Sequence, residues 1–535
     1  MSFYKAIATV GGMTLLSRLC GFARDILTAT YLGAGPVADA FFVALKLPNF
    51  FRKMTAEGAF SVSFVPLFAK ELETDGRAQA IRFAEEAQAM MLAVLIPFTI
   101  VAIVAMPWVL MLIAPGFGST PERYALAVEL SRITFPYILL MSLTSLLGGI
   151  LNSFDRFGPF AAAPVLFNLT LIVAMLYFAD FAGSAGHAMA WGVAVAGVLQ
   201  FGWLLWCCRK LGIRLRLRKP ALTPQIRMLF RKMTPGIFGA SIAQINIFVD
   251  MIIASLLPVG AISFLYYADR MYQLPLSVVG IAIGTAILPM LTRALASDDE
   301  KAAPRLFRQG FELSLMLALP ATVAYLLMAP EIMQVLFVRG EFTQDNSYQA
   351  AMALMGYSIG LPAFILAKLL SAAFFAQHDT ATPVRYAVIC AVMNTGLALL
   401  LSQLLKEQGL GHVGIALATG ATAWVNVALL AIKLHKRGML MIDHASFGRA
   451  AEIAALTVLM GAVLWGASHA VLPYLAQAGQ VNQLLGVLGV LALGGGVYGI
   501  GLFASGALSL QTLQALFPKR AKKATIVTNE QPPEV

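Results

Sequence analysis

Charge is scarce in this chain. Of 535 residues only 12% are Asp, Glu, Lys or Arg, while 59% are apolar and the mean hydropathy is +0.78, a balance that excludes most soluble enzymes. Cysteine is scarcer still. Cys20, Cys207, Cys208 and Cys390 sit within or beside apolar segments, with neither the pairing pattern of a secreted disulfide framework nor the ligand spacing of a zinc site. The six histidines are scattered near turns and span ends. No Walker sequence, DNA-binding motif or His and carboxylate metal spacing occurs, and no catalytic constellation either. The opening MSFYKAIATVGGMTLLSRLCGFARD has no small-residue cleavage site where a leader would need one, and Arg18 and Arg24 interrupt its apolar stretch. It reads as a retained first span.

What is present is a succession of apolar runs, many near the roughly 20 residues that a helix needs to cross hydrocarbon. They centre near residues 17, 43, 100, 140, 170, 197, 246, 276, 323, 363, 395, 422, 461 and 497, the second continuing as a helical stretch to about 70. The expected fold is therefore an all-α polytopic membrane protein with about fourteen transmembrane helices. The 45 glycines and 25 prolines suit that environment, where glycine allows close helix contact and neighbours re-satisfy a broken backbone. Gly494, Gly496 and Gly499 in GGGVYG have the dinucleotide-binding spacing, but they lie in an apolar run with no preceding strand and read as packing glycines.

The net charge of +11 would suggest nucleic acid in a soluble protein, so its distribution decides its meaning. The even-numbered connections and the two termini hold 27 Lys and Arg, nine of them between Arg209 and Lys232, whereas the odd-numbered connections hold only Arg123, Arg339 and Lys406. Such a bias places both termini in the cytoplasm and requires an even number of spans. The tail 517–535, with Lys519, Arg520, Lys522 and Lys523, reads as solvated and in contact with lipid headgroups.

Fixed-offset comparison exposes a duplication. Asp25 and Asp250, Pro136 and Pro362, Asp155 and Asp379, Pro159 and Pro383, and Asn168 and Asn394 recur at offsets of 224 to 226. Two six-span repeats follow, residues 1–218 and 219–440, with two further spans in 441–516. Both repeats start on the same side, so they are parallel, and a substrate site is expected between them near mid-depth.

Eight basic residues fall inside the spans rather than between them: Arg18, Arg24, Lys46, Arg52, Lys53, Arg132, Arg270 and Lys368. Each costs roughly 2.5 to 3.5 kcal/mol at membrane depth and ordinarily faces a watery cavity or a partner. Acidic neighbours exist in Asp25, Asp39, Glu57, Asp250 and Asp269. Helical spacing puts Arg18 on the face of Asp25 and turns Arg24 away from it, so complete local pairing is not expected. Snorkelling or local pairing is the simpler account of Lys46, Lys53, Arg132 and Lys368. Pro48 in LKLPNFFRK should interrupt its helix and expose Asn49 and Arg52 at a bend lining a cavity. Several planar guanidinium forks at such a bend favour a phosphate-bearing anion.

The strings SRLCGFARD, DAFFVALKLPNFFRKMTAEGAFSVSFVPLF, YYADRMYQLP and FFAQHDTATPV resemble the MurJ (MviN) family of bacterial lipid II flippases, within the multidrug, oligosaccharidyl-lipid and polysaccharide exporter superfamily. The likeness runs through all the spans. It implies a V-shaped pair of six-helix lobes, with two C-terminal helices shaping a groove for an undecaprenyl tail. It also implies an inner-membrane location, lipid II and membrane lipids as partners, no nucleic acid, no enzymatic activity and a monomeric chain. Family-essential basic positions fall on Arg18, Arg24, Arg52 and Arg270, and Asp39, Asn49, Glu57, Ser263 and Asp269 match other cavity positions. Some relatives bind sodium through residues matching Asp250, Asn394 and Thr419, but Ala398 stands where a further acidic ligand would be wanted, and hard cations need several oxygens. The expected function is therefore outward flipping of lipid II by alternating access, driven by membrane potential, with no resident cofactor. Flipping of another polyprenyl-linked glycan and export of cationic drugs are the competing readings. An organic cation would call for an acidic or aromatic site, and a polyprenyl transferase would call for clustered metal-binding aspartates.

Overall fold

The computed structural model describes residues 3–53, 59–295, 302–439, 444–477 and 479–507. Glu57 and the basic tail lie outside the described residues. A first bundle comprises α1 (Phe3–Leu32), α2 (Pro36–Phe51), α3 (Ser61–Thr74), α4 (Gly76–Ile113), α5 (Pro121–Thr134), α6 (Tyr137–Ser153), α7 (Phe157–Phe178) and α8 (Ala185–Lys210). An extended stretch over 213–223 leads to a second bundle. Its members are α9 (Pro224–Ser255), α10 (Ala261–Leu295), α11 (Ala302–Phe337), α12 (Gln344–Ala376), α13 (Ala381–Leu404) and α14 (Gly411–Lys436). The pair α15 (His444–Gln477) and α16 (Gln480–Ala504) packs on α11. Among the described residues ten helical spans are long and apolar enough to cross a membrane, one of them being α5 and α6 taken together (Pro121–Ser153). The charge-bearing α1, α9 and α10 reach 30, 32 and 35 residues, or about 45 Å and more at 1.5 Å per residue.

Proline explains much of how these helices hold one another. A proline inside a helix has no N–H, so the carbonyl four residues earlier loses its partner, and hydrocarbon supplies no water to replace it. In four places a side chain from a neighbouring helix takes that carbonyl. Thr134 Oγ1 donates to Ala44 O at 2.9 Å, answering Pro48. Tyr325 Oη donates to Met271 O at 2.7 Å, answering Pro275. Tyr498 Oη donates to Met316 O at 2.9 Å, answering Pro320. Arg132 Nε donates to Ile103 O at 3.1 Å, answering Pro107.

The first of these corrects the expectation at Pro48. The helix runs through the proline to Phe51, because Thr134 satisfies the carbonyl that the proline orphans. The irregularity comes later, as a π turn at residues 52 and 53. Single π turns often mark functional positions.

Elsewhere the bundles close by backbone approach. At the α12–α14 crossing a Cβ on Gly360 would sit 2.5 Å from Gly420 Cα, so only glycine permits that contact. Of the GGGVYG glycines, Gly494 packs against Leu464, where a Cβ would come within 2.6 Å of Cδ2. The inter-bundle stretch is pinned to α4: buried Glu85 accepts from Arg216 N at 2.9 Å and Arg218 Nε at 2.5 Å, and Glu86 accepts from Thr223 Oγ1 at 2.9 Å. In the turn before α13, hydrogen bonds from Thr382 and then from Arg437 hold the Asp379 carboxyl below the usual carboxylate range.

Tyr498 joins α16 to α11, and its loss is measurable. Tyr498→Phe leaves the Met316 carbonyl without its donor and should cost about 0.6 to 1.7 kcal/mol, the range of interhelical hydrogen bonds in membranes. The check is a lower Tm of the detergent-solubilised protein; an unchanged Tm would mean the carbonyl is satisfied otherwise.

Candidate functional site

Between the two bundles lies a cavity of about 1390 Å³. Helices α1, α2, α6 and α7 of the first bundle and α9, α10, α12, α13 and α14 of the second contribute to its wall. Along α1 the lining runs from Arg24 back to Val10, fourteen residues or roughly 21 Å of helix. Seven of the eight basic residues expected at membrane depth line this one space: Arg18, Arg24, Lys46, Arg52, Lys53, Arg270 and Lys368. Two aspartates, Asp250 and Asp269, share it. Arg132, the eighth, faces away from it. Of the four expected to snorkel or pair locally, Lys46, Lys53 and Lys368 thus line the cavity instead, and Arg132 alone lies outside it.

The arginines are held in place by neutral as well as charged partners. Arg24 donates to Asp25 Oδ1 at 2.6 Å through one terminal nitrogen and to Asn168 Oδ1 at 2.9 Å through the other. Asn168 in turn donates to Ser17 O at 3.0 Å, which ties α7 to α1. The helical-wheel expectation is thus reversed: Arg24, rather than Arg18, turns onto Asp25, because a guanidinium is long enough to reach an adjacent carboxylate. Asp25 also accepts from Tyr266 Oη of α10 at 3.1 Å, and the Tyr266 ring lies 4.8 Å from the Arg270 guanidinium carbon. Arg18 crosses between bundles to Ser277 Oγ at 2.5 Å. Arg52 Nε donates to Asn49 Oδ1 at 3.1 Å, and Asn49 Nδ2 returns to Leu45 O at 2.9 Å. Gln273 donates to Asp269. Arg270 Nε is buried without a hydrogen-bond partner among the described residues. A buried orphan donor beside a basic cavity is the arrangement an incoming anion would complete.

Asp39 and Ser263 sit elsewhere, which corrects their assignment to the cavity wall. Asp39 is fully buried where α2 meets the start of α10, and its carboxylate accepts four hydrogen bonds. Arg123 donates at 2.5 Å, Gly260 N at 2.8 Å, Ser263 N at 2.9 Å and Ser263 Oγ at 2.6 Å. Arg123 is corrected too. Read from sequence as a connection residue, it is 3% exposed within α5 and covers the Phe117 ring at 3.8 Å. Around this pair the bundles meet: Glu341 N donates to Thr30 O at 2.9 Å, Tyr267 Oη to Gly33 O at 3.0 Å, and Gly116 N to Ser255 Oγ at 3.2 Å. This end of the cavity is closed.

Comparison with known proteins adds ancestry to that geometry. The sequence profile of the family described as lipid II flippase MurJ matches residues 28–484. A protein of Rhizobium tropici named probable lipid II flippase MurJ is 40% identical over 99% of this chain and all of its own length. The chain belongs to the MurJ family. The lipid II flippase MurJ of Burkholderia cenocepacia is 35% identical over 82% of this chain and 85% of its own. A solved structure of lipid II flippase MurJ in an inward closed conformation superposes with a TM-score of 0.74 at 24% identity, covering 92% of this chain and 99% of that one. An inward-facing multidrug resistance MATE transporter of the MOP superfamily gives 0.66 at 17% identity over 81% and 98% of the two chains. At those identities the structures speak for the fold alone.

Within the MurJ fold the residues matched to a sodium site form a hydrogen-bonded knot. Asn394 Nδ2 donates to Asp250 Oδ1 at 3.0 Å and to Asn246 Oδ1 at 3.1 Å, and Thr422 Oγ1 approaches Asn394 Oδ1 at 3.4 Å. Thr419 lines the cavity but donates to Ile415 O at 3.0 Å. Thus the amide hydrogens of Asn394 already occupy oxygens that a hard cation would need, and Ala398 beside them is fully buried without an oxygen to offer. Among the described residues no group of three or more His, Cys, Asp and Glu could hold a metal. The site residues absent from the sequence reading are Tyr266, Ser277, Asn246 and Thr422. Asn168 was visible as a repeat landmark only, and its link to Arg24 had no signal.

The Asp39–Arg123 pair makes a sharp prediction. Removing one partner of a buried pair strands the other, at about 3 to 5 kcal/mol. Asp39→Ala and Arg123→Ala should each lower stability by that order, while the double variant should cost well below their sum. Denaturation of all four proteins in detergent tests this; additive losses would dissolve the pair as an energetic unit.

Proposed function

We propose that this chain moves lipid II from the cytoplasmic to the periplasmic leaflet of the bacterial inner membrane by alternating access. One observation carries the proposal: seven basic side chains, from four helices and the π turn after α2, converge on a single cavity between the bundles. Cations at membrane depth ordinarily face a partner or a watery pathway, and seven basic groups against two aspartates leave this space net positive and suited to an anion. The Arg18, Arg24, Arg52 and Arg270 guanidinium forks suit the oxygens of a pyrophosphate, each able to give two parallel hydrogen bonds. Asn49 and Asp269 flank them; Glu57, five residues after Arg52 in the sequence, lies outside the described residues. The polyprenyl tail would stay in lipid along α15 and α16. Adding α1, α2 with α3, α9 and α10 to the ten apolar spans gives fourteen, in domains 1–218, 219–440 and 441–516.

The cavity wall reaches Val10 and Asn152, the end of the molecule that carries the basic stretch around 209–232, while the opposite end is sealed at Asp39. By the positive-inside rule the basic end is cytoplasmic, as then are both termini. The state is inward-facing, ready for substrate. Export of a cationic drug fits poorly, since a cation would meet a strongly positive wall. The site is complete in one chain, which supports a monomer.

The arginines are the direct test. Arg24→Ala and Arg270→Ala should abolish complementation of a host depleted of its own flippase at normal membrane abundance, and Lys should rescue poorly because it lacks the fork. Full function in either Ala variant would remove that residue from the site.

We infer that the drive is electrical, with no resident sodium ion required. Moving one elementary charge through 100 mV is worth about 2.3 kcal/mol. In an inside-negative membrane an anionic headgroup is favoured outward, and an empty basic cavity is favoured back toward the cytoplasm. Collapsing the potential while pH and sodium are equal on both sides should therefore halt flipping in proteoliposomes. Flipping that persists at zero potential but stops without a sodium gradient would restore the knot at Asp250 and Asn394 as a cation site.

A further inference from the structure

Arg132 is the one of the eight span arginines and lysines that does not line the cavity. It lies in a groove of about 670 Å³ on the outer surface of the first bundle, between α4, α5 and α8, with Glu129, His187, Pro107 and Trp191. Its Nε is fixed on the Ile103 carbonyl that Pro107 orphans. Its two terminal nitrogens have no hydrogen-bond partner among the described residues, and the side chain is exposed. Glu129, one turn earlier on α5, does not pair with it. Instead Glu129 Oε1 lies 3.3 Å from His187 Nε2, and His187 Nδ1 is held by Ser184 Oγ at 2.8 Å. An arginine and a glutamate on the same face, each steadied by a different helix, thus stand side by side with their charges unspent on one another.

The surroundings say what could visit. Pro107 lies six residues before the end of α4 and Trp191 six residues into α8, so the groove sits roughly 9 Å inside the helix ends. It is at the sealed end of the molecule. Beside it Trp108, Met111 and Leu112 expose large apolar surfaces, a lipid-facing belt with tryptophans at headgroup level. Cβ atoms three residues apart on a helix are about 5 to 6 Å from each other. A headgroup with a phosphate and, two carbons away, an ammonium offers each of these neighbouring groups the opposite charge.

We propose that this groove binds phosphatidylethanolamine of the periplasmic leaflet, its phosphate on Arg132 and its primary ammonium on Glu129. The leaflet assignment rests on the sidedness proposed above; the headgroup chemistry does not. Phosphatidylglycerol offers Glu129 no cation, and the methylated ammonium of phosphatidylcholine has no hydrogen to donate. The site should therefore rank the three lipids by headgroup even with identical acyl chains.

Native mass spectrometry of the delipidated full-length protein, titrated with phosphatidylethanolamine, phosphatidylcholine and phosphatidylglycerol of matched chains, tests this. In the wild type phosphatidylethanolamine should bind most tightly. Arg132→Ala should weaken it roughly tenfold, the equivalent of about 1.4 kcal/mol. Glu129→Gln should bring phosphatidylethanolamine and phosphatidylcholine close to parity. Because Arg132→Ala also frees the Ile103 carbonyl and could impair folding, Glu129→Gln stands as the independent arm. Phosphatidylglycerol binding best to the wild type, or an ethanolamine preference that survives Glu129→Gln, would overturn the proposal. Neither result bears on the flippase reading, since the central cavity is untouched.

Discussion

Hydrocarbon gives a polar group nothing to bond to, and almost every distinctive feature of this molecule answers that constraint. The prolines show it at the backbone. Four carbonyls freed by Pro48, Pro107, Pro275 and Pro320 are each met by a side chain on a neighbouring helix. The kink-prone residues have become the points at which helices are tied together. The same reasoning applies to α16, whose Tyr498 reaches the α11 carbonyl opened by Pro320; the C-terminal pair is thereby attached to the second bundle by a polar contact as well as by apolar packing.

Charges obey the constraint more severely, and the structure meets it in two different ways. At the sealed end Asp39 and Arg123 neutralise one another and every oxygen of Asp39 is engaged. In the cavity, neutralisation is deliberately incomplete. Arg24 leans on Asp25 and Asn168, while Arg270 keeps a buried donor that no described residue meets. A fully paired cavity would have no electrostatic reason to take an anion, and an entirely unpaired one would be too costly to fold. Partial pairing through asparagine, serine and tyrosine leaves the guanidiniums placed but not discharged.

This division also explains what the sequence could and could not tell. Apolar run length, the side bias of Lys and Arg and the presence of arginines at depth are properties of single segments, and they sufficed for an all-helical membrane fold and for a basic cavity containing Arg18, Arg24, Arg52 and Arg270. Which group satisfies which is a property of pairs remote in the chain. Nothing near Pro48 announces Thr134, 86 residues later, so a continuous helix was read as a broken one. Nothing near Asp39 announces Arg123 or the Gly260 amide, so an interface residue was placed in the cavity. Arg123 was assigned to a connection because proximity to a turn is visible and burial is not.

The sealed end must nevertheless open if the cavity is to reach the other leaflet, and its construction suits that. Beside the Asp39 cluster, glycines bring the two backbones into close approach at three points. A Cβ on Gly340 would stand 2.2 Å from Thr30 O, one on Gly116 1.9 Å from Ser255 O, and one on Gly33 2.4 Å from Glu341 O. Glycine thus allows close backbone approach at these three points, and the side chains that must part when the bundles separate are few: buried Tyr267, which bonds to Gly33 O and meets Phe42 edge-on, and Tyr266, stacked on Phe42 at 3.9 Å. The Glu341–Thr30 hydrogen bond joins polar backbone at helix termini, where water can replace it on separation. What cannot be replaced so readily is the pairing of the Asp39 carboxylate with Gly260 and Ser263 across the interface. Arg123 lies on the same bundle as Asp39, and it alone could keep the carboxylate compensated once α10 moves away. The buried pair is therefore less a clasp between bundles than the means by which one half of the clasp survives being opened.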